Sequence, residues 1–209
     1  MSAVSAACMQ NFNKMEISFS AYILAGGKSS RFGENKALYL WQGKPMVQRV
    51  ADVVSAAIPK IFVVANEQPL YEFIGAPVLT DIIPGLGPLG GVYTALSACS
   101  TDYAFLCACD MPHISEAIIS FMMEKVADSS ADVIIPFDET KNKENAYEPL
   151  HAIYSRRCLP AVKQAVEQNK KRIVSFFPQV KVKTISFEEL AAVGDPFLAF
   201  KNVNTKEDI

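Results

Sequence analysis

The sequence predicts a three-layer α/β sandwich with a mostly parallel, mixed central sheet. Three observations carry that prediction. Short apolar runs of strand length recur along the chain, and segments with helical spacing separate them over the first two-thirds. The runs hand over to loops at Gly26, Asp81 and Asp110, as buried strands do. Past the middle the alternation loosens, so antiparallel additions to a parallel sheet are expected.

In order, residues 19–25 (FSAYILA) form an apolar run ending in glycines, and 45–57 place Met46, Val47, Val50, Val53 and Val54 on one helical side. Residues 60–65 (KIFVVA) read as the next strand, and 77–80 as another. Residues 87–99 read as a helix despite their glycines, and 103–109 (YAFLCAC) as a fully buried strand stopped by Asp110. A helix over 115–127 has Ser115 as its N-cap. Strands over 131–136 and 149–155, a helix over 156–169 and a strand over 181–187 follow, and 197–203 close the pattern. Residues 1–18 lack a basic start and a long apolar centre; they read as a disordered leader, with Met15 an alternative start, before one domain over 19–209.

Composition excludes several classes. Of 209 residues, half are hydrophobic and a fifth charged, with a formal net charge of −2. No long Lys/Arg run offers a nucleic acid its backbone partner, and no apolar stretch reaches the ~18 residues of a membrane span. The five cysteines are odd in number and only two histidines accompany them, a poor zinc set. Cys107 and Cys109 share a strand face as core or cleft lining, and reduced thiols suit a cytoplasmic location.

Residues 24–36 read LAGGKSSRFGENK. A strand delivers the chain to Gly26 and Gly27, where backbone approaches a ligand closely and successive N–H groups form a nest for phosphate oxygens. Arg31 and Lys36 then hold a triphosphate and neutralise charge on a leaving pyrophosphate. A tight surface turn with ordinary charges is the plainer alternative. A Walker A loop is excluded because Tyr22 stands where its first glycine belongs. Gly85, Gly87 and Gly90 fit a dinucleotide pattern, but after two earlier strands rather than opening the domain.

This stretch matches L-x-G-G-x-x-x-R-x-G-x-x-K of nucleotidyltransferases with a Rossmann-like sheet of the nucleotide-diphospho-sugar transferase type. With Gly87-Pro88-Leu89-Gly90-Gly91, Cys109-Asp110-Met111-Pro112 and Asn202-Val203-Asn204-Thr205 in order, the chain resembles the molybdopterin (molybdenum cofactor) guanylyltransferases. The resemblance implies transfer of GMP from GTP to the terminal phosphate of molybdopterin, giving the guanine dinucleotide cofactor and pyrophosphate. GTP and molybdopterin are then the substrates, and proteins of cofactor biosynthesis or molybdoenzyme maturation the partners.

Asp110 is the expected ligand of Mg²⁺, a hard cation that takes carboxylate oxygen; a helix N-cap is the alternative. By resemblance Asn204 lies near the metal or the incoming phosphate, supported by Asn202, against the alternative of an Asn-rich turn. Leu24, Ala25, Gly26, Gly27, Asp81 and Gly87 would surround the guanine, with Asp81 accepting from N1–H and the exocyclic amine or else capping the turn 82–84. The related cytidylyltransferases tend to carry Ala at the second loop glycine, so Gly27 and the glycines of 87–91 favour guanine. Cytidylyl or sugar-1-phosphate transfer on the same fold is the second enzyme reading, and a non-catalytic nucleotide-binding module the third. His151 is expected to pack on its strand; His113 follows Met111-Pro112 without a task.

Overall fold

A computed structural model describes residues 17–26, 32–127, 129–142 and 145–208. The described strands are β1 (Phe19–Leu24), β2 (Leu40–Trp41), β3 (Lys44–Pro45), β4 (Ile61–Val64), β5 (Val78–Leu79), β6 (Tyr103–Ala108), β7 (Val133–Phe137), β8 (His151–Ser155) and β9 (Val182–Ser186). The helices are α1 (Met46–Ala57), α2 (Pro88–Ala98), α3 (Glu116–Ala127), α4 (Leu159–Glu167), α5 (Phe187–Ala191) and α6 (Pro196–Ala199). Seven strands form one sheet in the order β5-β4-β1-β6-β8-β7-β9. All of its pairs are parallel except those made by β8, which lies antiparallel between β6 and β7. The expected mixed sheet is therefore parallel but for one inserted strand. Among the described residues no helix separates β7 from β8, whereas a parallel neighbour requires a long crossover such as α1 provides between β1 and β4.

Period-two alternation sorts the core into two layers. Ala21, Ile23, Phe105 and Cys107 face Val47, Val50 and Val54 of α1 and Ile118, Ile119 and Met122 of α3. Tyr22, Ala104 and Leu106 face Leu89, Val92 and Leu96 of α2 and Val162 and Ala165 of α4. β6 is buried along its whole length because both faces are covered. β2 and β3 form a separate hairpin turned by Gln42 and Gly43, at φ 48° and 79°, the pair of positive angles that a tight two-residue turn takes.

Several boundaries differ from the expected ones for local reasons. Ile17 packs against the core, and the Ser18 N–H and hydroxyl bond Asp102 Oδ2 at 2.9 and 2.7 Å, so these two belong to the fold and not to a leader. The helix expected over 156–169 begins as a 3-10 turn, Arg156–Cys158, because Pro160 is tolerated only in the first turn of an α-helix. Residues beyond Ser186 leave the sheet: the Ser186 side chain accepts from Glu189 N–H and Glu189 returns the bond, a capping box that starts α5. Ser115 Oγ accepts from Ile118 N–H at 3.4 Å, as expected of the cap of α3. No helix among the described residues is long and apolar enough to cross a membrane.

His151 opens β8, fully buried between Phe105 and Phe200, with ring centroids 5.1 and 4.6 Å away. It packs, as expected of a strand histidine. Neither ring nitrogen has a partner among the described residues, and burial pushes its pKa down to about 3. The unfolded imidazole titrates near 6.5, so the unfolded chain binds the extra proton between those values. The stability is thus present above about pH 6.5 and lost by up to ~1.4 kcal/mol per pH unit as pH falls towards 3. Urea unfolding at pH 7.5 and 4.5 should show His151→Leu losing less stability in acid than the parent. Equal losses would assign the acid sensitivity to other groups.

Candidate active site

The carboxyl ends of β1, β4, β5 and β6 meet around a cavity of about 630 Å³. Its walls include Leu24, Ala25 and Gly26 after β1, Asn66 after β4, Asp81 after β5, and Cys109 and Asp110 after β6. The ladder keeps these ends together: Ala25 N–H donates to Val64 O at 2.9 Å and Cys109 N–H to Leu24 O at 3.1 Å. Gly27 and Arg31 lie outside the described residues.

Gly87 and Pro88, at the start of α2, form part of the same wall. Gly85 and Gly87 take φ of 80° and 78°, left-handed values that favour glycine. A Cβ on Gly91 would stand 2.6 Å from Leu24 Cδ2, so the lack of a side chain lets α2 press against the end of β1. The turn between β5 and α2 is tied down by Thr94, whose Oγ1 accepts from Ile82 N–H and donates to Gly90 O, both at 3.0 Å.

Asp81 therefore does not cap that turn. Its Oδ2 accepts from Asn66 Nδ2 at 3.2 Å, and its N–H donates to Asn66 Oδ1 at 3.3 Å. Its Oδ1 is buried without a partner among the described residues. A Cβ on Gly26 would stand 3.6 Å from Asp81 Oδ2, which puts the expected guanine-contacting residues side by side. Asn66 was not anticipated, although the rule that ligands gather at strand ends, applied to the run before it, points to it.

Lys36 and Asp110 meet directly. Lys36 Nζ donates to Asp110 Oδ2 at 2.5 Å, with side chains 16% and 18% exposed. Lys36 opens a 3-10 turn, Lys36–Leu38, that Asn35 caps by accepting from Ala37 N–H at 3.1 Å. Asp110 is not the cap of α3, since Ser115 has that place. Its Oδ1 is buried and unpartnered among the described residues.

The third group of predicted residues reaches the main chain of Asp110. Val203 N–H donates to Asp110 O at 2.9 Å, and Val203 is buried with Phe32, Trp41 and Met46. Asn202 Oδ1 is buried without a partner among the described residues, while Asn204 is exposed and its N–H bonds Asp208 at 2.8 Å. Neither asparagine lines the cavity, so Asp110 stands between it and this segment.

Cys109 lines the cavity, and burial pushes its thiol up to about 12; burial raises Cys107 well above its ordinary value. Both remain protonated at neutral pH and supply no thiolate nucleophile. His113 packs edge-on against Trp41 at 5.6 Å. Within the polar connection from β7 to β8, Lys141 pairs with Glu148 at 2.8 Å and Asp138 at 3.4 Å.

Known proteins are similar to this chain in sequence and in fold. The MobA-like NTP transferase domain matches residues 21–182. The molybdenum cofactor guanylyltransferase of Desulfosudis oleivorans is 36% identical over 188 residues, covering 90% of each chain. The crystal structure of molybdopterin-guanine dinucleotide biosynthesis protein A from Archaeoglobus fulgidus superposes with a TM-score of 0.77 at 22% identity, over 90% of this chain and 94% of that one. A 4-diphosphocytidyl-2C-methyl-D-erythritolsynthase from Anaerococcus prevotii has the same fold, with a TM-score of 0.68 at 14% identity over 92% of each chain. Matched along most of its length by family and relatives alike, the chain belongs to the MobA-like NTP transferase family.

Proposed function

We propose that the protein transfers GMP from GTP to the terminal phosphate of molybdopterin, forming the guanine dinucleotide cofactor and pyrophosphate. The observation that carries this reading is the juxtaposition of Lys36 and Asp110 beside a cavity lined also by Asp81, whose Oδ1 has no partner among the described residues. That oxygen suits the N1–H and neighbouring amine of guanine, and the Asn66 bonds hold the carboxylate in place to receive them. The similar D. oleivorans guanylyltransferase supports the same acceptor.

In the reaction an acceptor phosphate oxygen attacks the α-phosphorus of GTP, and the bond from that phosphorus to the bridging oxygen breaks, releasing pyrophosphate. The attacking phosphate is already ionised at neutral pH, so the residues need only bind, align and neutralise. Lys36 would turn from Asp110 to the triphosphate and offset charge on the departing pyrophosphate, and Arg31 is proposed for the same task. Leu24, Ala25, Gly26, Gly27 and Gly87 would bring backbone up to the nucleotide.

Mg²⁺ fits the residues present. No cluster of three or more His, Cys, Asp or Glu able to hold a metal exists among the described residues, but Mg²⁺ is commonly held by one or two carboxylates together with substrate phosphates. Asp110 Oδ1 is a hard oxygen donor, buried and without a partner among the described residues, while Asn202, which does not line the cavity, is proposed only to support this side. When bound, the ion would neutralise phosphate charge. Asn204 is proposed to steady the acceptor phosphate. The buried free thiols of Cys99, Cys107, Cys109 and Cys158 suit the cytoplasmic location proposed here.

Thermal shift with GTP, CTP, UTP, ATP and NAD, with and without Mg²⁺, tests the reading, because a ligand that binds the native state raises apparent stability. GTP should give the largest shift, enhanced by Mg²⁺. A larger shift with CTP would move the substrate to cytidylyl transfer on the same fold. Asp81→Ala should lower the GTP-over-CTP preference by about 10- to 100-fold, the range for one or two hydrogen bonds to a charged group. An unchanged preference would remove Asp81 from base recognition.

A further inference from the structure

The buried Tyr71 hydroxyl touches both ends of the candidate phosphate loop. Tyr71 lies in a 3-10 segment, Gln68–Ile74, and is 2% exposed. Its hydroxyl donates to Ala25 O at 3.2 Å and accepts from Asn35 Nδ2 at 3.2 Å. Ala25 is the first residue beyond β1, and Asn35 caps the turn that carries Lys36. One oxygen therefore ties the end of β1 to the turn that carries Lys36.

The tie is anchored from outside the loop. Gln68 Nε2, in the same segment as Tyr71, donates to Val78 O and Thr80 Oγ1, both at 3.0 Å. The segment follows directly on Asn66, which holds Asp81. Asn35 uses its oxygen for Ala37 N–H and its amide for Tyr71, so the cap and the tie share one side chain. Burial raises the phenol above its ordinary pKa, and it stays a donor throughout the neutral range.

We infer that Tyr71 is a positioning residue: through Ala25 and Asn35 its hydroxyl holds the turn that carries Lys36 against the end of β1, setting the aim of Lys36 at the phosphates. Its hydroxyl is engaged by Ala25 and Asn35, and it acts through these two partners. The inference rests on the reading of the loop as the triphosphate site. Without the hydroxyl Lys36 keeps its charge, but the turn that carries it loses its tie to the end of β1 and costs more ordering entropy when phosphate binds.

Tyr71→Phe keeps the buried ring and removes only the hydroxyl; Asn35→Asp keeps the cap oxygen and removes the amide donor. Calorimetry with pyrophosphate and with GMP, and hydrogen exchange at Gly26 and Lys36–Leu38 without ligand, read the clamp. Tyr71→Phe should exchange faster at both places, bind pyrophosphate about tenfold more weakly, as one lost buried hydroxyl with two partners implies, and show unchanged preference for GTP over CTP. In ligand-free exchange, Asn35→Asp in the Tyr71→Phe background should add little, since both changes cut the same connection. Unchanged exchange in Tyr71→Phe would overturn the clamp, and faster exchange with unaltered pyrophosphate affinity would overturn its link to phosphate binding. If the parent protein binds neither GTP nor pyrophosphate, the functional reading falls while the exchange comparison still decides the clamp.

Discussion

Asp110→Asn is expected to lower guanylyl transfer by about 10³-fold or more, some 4 kcal/mol of transition-state stabilisation, with the fold intact. The substitution keeps shape and removes one charge. In the proposed reaction Asp110 is the carboxylate that holds the metal, and an amide is a far weaker ligand for a hard cation. The main-chain bond from Val203 N–H to Asp110 O does not depend on the side chain, so the 202–204 segment should stay docked. The ion pair with Lys36 is partly exposed, so its loss should cost ~1 kcal/mol or less and a few degrees of melting temperature. Steady-state turnover with saturating GTP, beside a thermal melt of the same preparation, separates the two effects. Full activity in Asp110→Asn would remove the residue from the mechanism.

Lys36→Met should act in two opposite directions. Loss of the ammonium removes a charged donor to the triphosphate and the offset for the leaving pyrophosphate, so kcat/KM for GTP should fall by about 10²- to 10³-fold. Without nucleotide the same change leaves Asp110 without the cation that now occupies its Oδ2 at 2.5 Å. Mn²⁺, used as a spectroscopic probe for Mg²⁺, should then bind the nucleotide-free variant more tightly than the parent. A lysine that merely decorates the surface would change neither quantity. A fall in GTP affinity with no gain in Mn²⁺ affinity would keep the phosphate role and dismiss Asp110 as the metal ligand.

Much of this architecture was legible because it is written in local periodicity. Alternation along Ala21, Tyr22 and Ile23, and along Ala104, Phe105, Leu106 and Cys107, requires two covered faces, and both are found. The apolar runs ending before Gly26, Asp81 and Asp110 located three walls of the cavity, since strand ends are where backbone leaves the ladder. One local signal was passed over: the Ser186-to-Glu189 capping box that turns the chain from β9 into α5.

The sequence by itself determined the layers, the glycine-bearing loop and the acidic strand ends, because each depends on residues a few positions apart. Only the tertiary structure decided that β8 runs against its neighbours, that Lys36 meets Asp110 across 74 positions, and that Asn66 grips Asp81. It also decided that Tyr71 joins Ala25 to Asn35, from a 3-10 segment whose spacing carries no strong period. These pairings follow from the order in which strands lie side by side. That order is set by how the whole core packs, which no short stretch of sequence encodes.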